Sequence, residues 1–208
     1  MLSRFKDTLR NGATSFGVDF TDKLVSRLTA YYELLLAWNT RLHLVAPCSP
    51  EEFATRHVLE SLFLLRHLSE SAFIADVGSG AGLPIIPCLA ARLDLRAVLI
   101  ESSKKKAVFL REALKTIDSS ERAAVLAERF EQVPTPAADY VTCRALDRFP
   151  EMLPALFAWA PPEAPLLIFA GEDLRKQIES YTESCSAFLV PGSVRRFLVR
   201  ATGRRESS

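Results

Sequence analysis

The sequence predicts one α/β domain: a seven-stranded, mostly parallel, Rossmann-like sheet that ends in an antiparallel C-terminal hairpin and follows an N-terminal helical extension. Three observations carry this. Leu24, Leu28, Tyr32, Leu35 and Trp38 recur at three- and four-residue spacing ahead of any strand pattern, which is the apolar stripe of an amphipathic helix. From residue 73 onward, short apolar runs alternate with helical stretches, as in parallel strands joined by crossover helices. Near the C-terminus, Pro191-Gly192 joins two strand-like runs too tightly for a crossover, so they pair as a hairpin.

Taken in order, Thr21 caps a first helix that runs to residue 39. Ser49 caps a second, with Pro50 in its first turn, and this helix passes through Phe53, His57, Leu59 and Leu65. Residues 73–77 form the first strand, which ends at Gly78, and 83–93 form a helix with Pro84 and Pro87 in its first turns. Strands follow at 97–101, 123–127, 140–143 and 166–170, with helices at 104–117, 150–158 and 174–181. The hairpin strands are 187–190 and 195–201. The chain thus divides into a helical extension (1–70), a sheet domain (71–202) and a polar tail (203–208) expected to fray.

At 208 residues, 49% hydrophobic and 25% charged, the chain is long and apolar enough to bury a core without staples, which excludes a disordered segment. A net charge of +1 means that affinity for nucleic acid must come from local patches. Lys104-Lys105-Lys106 is one; Arg195, Arg196, Arg200, Arg204 and Arg205 form another. The lysines open a helix, an unfavourable place for cations unless Glu101 and Glu112 offset them or an anion such as RNA phosphate lies near. Cys48, Cys88, Cys143 and Cys185 lack C-x-x-C spacing, so they are expected to be reduced core thiols with no metal site. Residues 1–10 lack the apolar stretch of a signal peptide, and no run of about 18 apolar residues occurs, so a cytoplasmic protein without a membrane partner is expected.

The most informative stretch is Asp76-Val77-Gly78-Ser79-Gly80-Ala81-Gly82-Leu83, where the first strand turns into its helix. Glycines at alternate positions let the backbone approach a ligand, and the helix amides that follow favour a carboxylate or phosphate. About 20 residues on, Glu101 ends the second strand, where a carboxylate accepts the hydroxyls of an adenosine ribose. Dinucleotide folds use that acid too, but they place the third glycine where Leu83 stands. Asp76, the G-x-G-x-G spacing and the closing hairpin favour S-adenosylmethionine.

WNTRLHLVAP (38–47), RHVLESL (56–62), DVGSGAGLPIIP (76–87), IESSKKKAVFLRE (100–112), AERFEQ (127–132) and CRAL (143–146) together closely resemble one family. It is the bacterial small-subunit ribosomal RNA guanine-N7 methyltransferases, also called glucose-inhibited division protein B. The resemblance covers most of the chain and implies a class I methyltransferase that transfers the methyl group of S-adenosylmethionine to N7 of a guanine in a loop of 16S ribosomal RNA. It implies cofactor contacts at Gly78, Leu83, Phe130, Glu131 and Arg144, beside Asp76, Gly80 and Gly82 of the turn and Glu101 at the end of the second strand. Its partner would be small-subunit RNA or an assembling subunit, met by a monomer. The sequence departs from the family at Ala81, where proline is usual, at Ile85, where glycine is usual, and at Ala170, where a lysine commonly precedes Gly171. Ile85 is expected to narrow the cofactor pocket, and Ala170 removes a cation.

Guanine N7 carries a lone pair and no proton, so the reaction needs alignment more than a general base. Arg144 is the one catalytic candidate, its fork of donors suited to the methionine carboxylate, guanine O6 or a phosphate, with a structural ion pair as the alternative. Asn39, Arg41, Arg56, His57, Lys104 and Lys105 are the RNA candidates; His57 serves equally as a histidine packed between helices. His67 reads as a surface residue. Methylation of another RNA, a small molecule or a protein, and a ribosome-assembly protein that binds cofactor without turnover, are the alternative functions.

Overall fold

Five parallel strands form the centre of the sheet: β1 (Phe73–Val77), β2 (Arg96–Ile100), β3 (Ala123–Leu126), β4 (Tyr140–Cys143) and β5 (Leu166–Gly171). The computed structural model describes residues 1–144 and 149–204, the side chains of 149, 150 and 204 aside. With β6 (Thr182–Leu189) and β7 (Arg196–Arg204) added antiparallel, the order across the sheet is β3-β2-β1-β4-β5-β7-β6. Connections run one way from β1 to β3 and the other way from β4 onward, so the chain leaves the carboxyl ends of β1 and β4 in opposite directions at a switch point, the place where such sheets bind ligands. Register puts Val77 beside Ile100, Asp76 beside Thr142, and Arg196 beside Gly171 at the carboxyl end of β5.

The N-terminal helices are α1 (Leu2–Phe16), α2 (Asp22–Leu42) and an irregular rod made of α3 (Pro50–Glu52), a π-helical segment (Phe53–Leu59), α4 (Glu60–Phe63) and a closing 3-10 turn (Leu64–His67). The Thr21 hydroxyl accepts from the Leu24 amide at 3.2 Å and the Ser49 hydroxyl from the Glu52 amide at 3.0 Å, so both expected caps form. α1, which precedes the first helix that the sequence pattern predicts, buries Phe5, Leu9 and Phe16. Phe5 stacks on Tyr32 at 4.5 Å, and Tyr32 on Phe53 at 4.6 Å. These rings belong to one apolar cluster with Ile74, Leu89 and Phe109, so the helical extension covers a face of the sheet domain and shares its core. Each such buried ring contributes about 1.5–3 kcal/mol.

The crossover helices are α5 (Ile85–Ala91), α6 (Lys104–Thr116), α7 (Phe149–Trp159) and α8 (Glu172–Tyr181). A second cluster, including Val77, Ile100, Val141, Leu156 and Ile168, fills the other face. The sheet is therefore apolar on both sides, as its uninterrupted strands predict.

Some expectations change. β6 begins five residues before 187, because Thr-Glu-Ser-Cys-Ser lies on an exposed edge strand and carries no apolar alternation. Gly203 and Arg204 extend β7, whereas the sequence placed them in the tail; residues 205–208, Arg205 among them, lie outside the described residues, as do Ala145 and Leu146 of the CRAL motif. His67 is half-buried between Phe63, 5.2 Å away, and Phe188 of the hairpin, 4.3 Å away, so it is a packing residue and not a surface one. Ile85 is fully buried in the core shared with the N-terminal helices, because α5 packs on α2 and α4.

Candidate cofactor and substrate site

The glycine turn is tied to the end of β2 from both sides. Gly78 and Ser79 donate to the Ile100 carbonyl at 2.9 and 3.2 Å, and the Glu101 carboxylate accepts from the Gly80 amide (Oε2, 2.8 Å) and the Ser103 amide (Oε1, 2.8 Å). Glu101 is 6% exposed, and each of its oxygens keeps a lone pair after these bonds, so it is a fixed, nearly dry acceptor at the mouth of the crevice. Two glycines are needed here for different reasons. A Cβ on Gly82 would come within 2.3 Å of Ile86, whereas one on Gly80 would meet nothing nearer than 3.7 Å, so Gly80 leaves open space facing the crevice; both have positive φ.

Asp76, at the end of β1, is 1% exposed. Its Oδ1 accepts from the Thr142 hydroxyl at 2.7 Å, while Oδ2 is buried and without a partner among the described residues. Burial raises its pKa to about 7; the Ser79 and Thr142 hydroxyls oppose that shift and the Glu101 charge adds to it. An orphaned carboxyl oxygen beside a fixed ribose acceptor and an open glycine fits S-adenosylmethionine, whose ammonium and ribose hydroxyls are donors. Leu83 lies in the same turn at 8% exposure. After β3, the Phe130 ring is buried edge-on to Trp159 (5.7 Å), and Glu131 is exposed.

Arg144, at the end of β4, meets the N-terminal rod. The wider π turn presents the carbonyls of Arg56 and His57 to β4, and Arg144 donates to both (3.3 Å to His57) and to the Ser61 hydroxyl at 3.1 Å. Its guanidinium also lies over the Phe169 ring at 5.4 Å and 3.5 Å from Glu60 Oε2. Glu60, 2% exposed, receives Arg196 of β7 on its other oxygen at 2.8 Å from Nε and 2.6 Å from Nη2. Between these groups opens a pocket of about 160 Å³ lined by Glu60, Arg144, Phe169, Ala170, Gly171, Arg196 and Phe197. Ala170 is thus part of its wall, and Arg196 supplies a cation there.

The other candidates separate. His57 packs at a tilt against Phe53 (ring centroids 5.1 Å apart), and burial, helped by Arg144 and Arg56, lowers its pKa to about 4, so it is neutral near pH 7. Arg56 is exposed and pairs with Glu52 at 2.7 Å. The Asn39 amide is occupied at both ends by the Val45 backbone, each bond 3.0 Å, which closes the loop after α2, while Arg41 is exposed. Lys104 and Lys105 are exposed in the first turn of α6; Glu101 is engaged with backbone amides and Glu112 with Lys115, so neither offsets them. No group of residues able to hold a metal ion occurs among the described residues.

Sequence reasoning passed over Tyr31, Thr142 and Glu60. The signal for Glu60 was present: a carboxylate inside the apolar run around Val58 to Leu65 has no reason to be there unless it is paired. Tyr31 and Thr142 gave none, because a buried hydroxyl on an apolar face reads as packing.

A seven-stranded sheet in this order, with a glycine turn after its first strand and a fixed carboxylate closing its second, defines a Rossmann-like S-adenosylmethionine-dependent methyltransferase. Residues 24–201 match the family profile described as rRNA small subunit methyltransferase G, and the chain belongs to that family. It is 36% identical over 140 residues to the Ribosomal RNA small subunit methyltransferase G of Neisseria meningitidis serogroup C, 67% of each chain. To the enzyme of that name from Xanthomonas campestris it is 39% identical over 173 residues, 82% of this chain and 79% of the other. An RNA methyltransferase from Salinibacter ruber in complex with S-adenosyl-L-homocysteine shares the fold at TM-score 0.54 and 19% identity, over 79% of this chain and 97% of that one. No helix among the described residues is long and apolar enough to cross a membrane.

Proposed function

We propose that this enzyme transfers the methyl group of S-adenosylmethionine to N7 of a guanine in a loop of small-subunit ribosomal RNA, acting in the cytoplasm as a monomer on the RNA or an assembling subunit. The observation that carries the reading is the adjacency, on one carboxyl edge of the sheet, of a crevice suited to an adenosine cofactor and a charged pocket walled by the N-terminal rod. The cofactor supplies an electrophilic methyl on a sulfonium.

The residues of the chain do positional work. Glu101 holds the ribose hydroxyls, Asp76 takes the ammonium on its free oxygen, Gly78, Gly80, Gly82 and Leu83 form the floor, and Phe130 and Glu131 border the adenine side. Arg144 fixes the rod against β4 and lines the base pocket, its donors held toward helix carbonyls and so kept from capping the N7 lone pair. Lys104, Lys105, Arg41 and Arg56 stand exposed for phosphate; Asn39 and His57 support them by holding the loop and the rod.

The test is transfer of labelled methyl from S-adenosylmethionine to small-subunit ribosomal RNA from a strain lacking this protein, with the modified base mapped. One N7-methylguanine is expected. Cofactor binding with no transfer to RNA or subunit would replace this reading with that of a binding protein.

A further inference from the structure

The charged pocket between the N-terminal rod and β5 contains a buried carboxylate. Glu60 is buried, yet its two oxygens are unequally served. Oε1 takes both Nε and Nη2 of Arg196, and among the described residues Oε2 has only the 3.5 Å approach of Arg144, longer than a charge-assisted hydrogen bond. Arg196 thus locks the carboxylate while leaving Oε2 with unused acceptor capacity in a pocket whose apolar walls are Phe169 and Phe197.

We infer that Glu60 reads the Watson–Crick edge of the target guanine, Oε2 accepting from N1–H and the 2-amino group, with Arg196 as its positioning residue. Guanine presents two donors on that edge, whereas adenine presents an acceptor at N1, so a fixed carboxylate selects the first and repels the second. The N1 edge lies across the base from N7. Gripping the base there leaves the reacting lone pair uncovered, which a donor on the N7 side would not. The specificity element then comes from the helical extension, and the sheet domain supplies the cofactor.

The inference rests on the guanine-N7 reading, and the experiment separates the two. Wild-type and Glu60→Gln full-length proteins are compared on small-subunit RNA carrying guanine, or inosine, which lacks only the 2-amino group, at the mapped position. Cofactor affinity and melting temperature are measured alongside. Wild type is expected to favour guanine by about tenfold or more in kcat/KM, the value of a hydrogen bond to a charged group. Glu60→Gln should bring the preference to within about threefold while cofactor affinity holds. If the variant does not fold, Glu60→Asp, which withdraws the acceptor by one methylene, should reduce the preference at least threefold. A preference absent in wild type, or unchanged in the folded variant, overturns the assignment of Glu60. Failure of wild type to methylate any guanine at N7 overturns the underlying reading and this one with it.

Discussion

The Tyr31 hydroxyl donates a 2.7 Å hydrogen bond to the Ala81 carbonyl, so a residue of α2 holds the middle of the glycine turn. Tyr31 is fully buried, and burial drives its pKa well above the ordinary tyrosine value, which keeps the hydroxyl a donor at any working pH. Tyr31→Phe leaves the Ala81 carbonyl without that partner and should cost about 1–3 kcal/mol of stability in urea unfolding. It should also weaken cofactor binding several-fold. Wild-type affinity in the variant, measured by calorimetry, would show that α2 does not brace the turn.

Glu101→Ala removes the ribose acceptor together with the two amide bonds that shape the crevice mouth. Cofactor affinity should fall about tenfold or more, the loss expected for hydrogen bonds to a charged group. Far-ultraviolet circular dichroism should stay unchanged. A normal dissociation constant refutes the assignment.

Asp76 sets a pH dependence whose sign is fixed. Its folded pKa, about 7, lies above the ordinary carboxylate value of 3.8. Below pH 4 both folded and unfolded chains hold the proton; between pH 4 and 7 the unfolded chain releases it first, so this contribution to stability declines through that window and is fully lost above it. Asp76→Asn should therefore gain stability relative to wild type as pH rises from 4 to 7, while binding S-adenosylmethionine more weakly. Parallel stability profiles for the two proteins would contradict the assignment.

Lys104→Glu with Lys105→Glu should weaken RNA binding and leave cofactor affinity intact. If both lysines contact phosphates, the slope of log affinity against log salt should become shallower by roughly 1.5 to 2. An unchanged slope would mean that this face is only solvated.

The sequence by itself determined the order of strands and helices from β1 onward, the glycine turn, the carboxylate at the end of β2 and the caps at Thr21 and Ser49, because these depend on local periodicity and on backbone groups a few residues apart. It missed the start of β6, where an exposed edge strand has no apolar face to reveal it. Only the tertiary structure decided what Arg144 faces, that Glu60 lies between Arg144 and Arg196, and that Tyr31 reaches the cofactor turn. Those pairings join residues far apart in the chain. Their energies depend on burial and on the direction of a few donors, which no spacing along the sequence records.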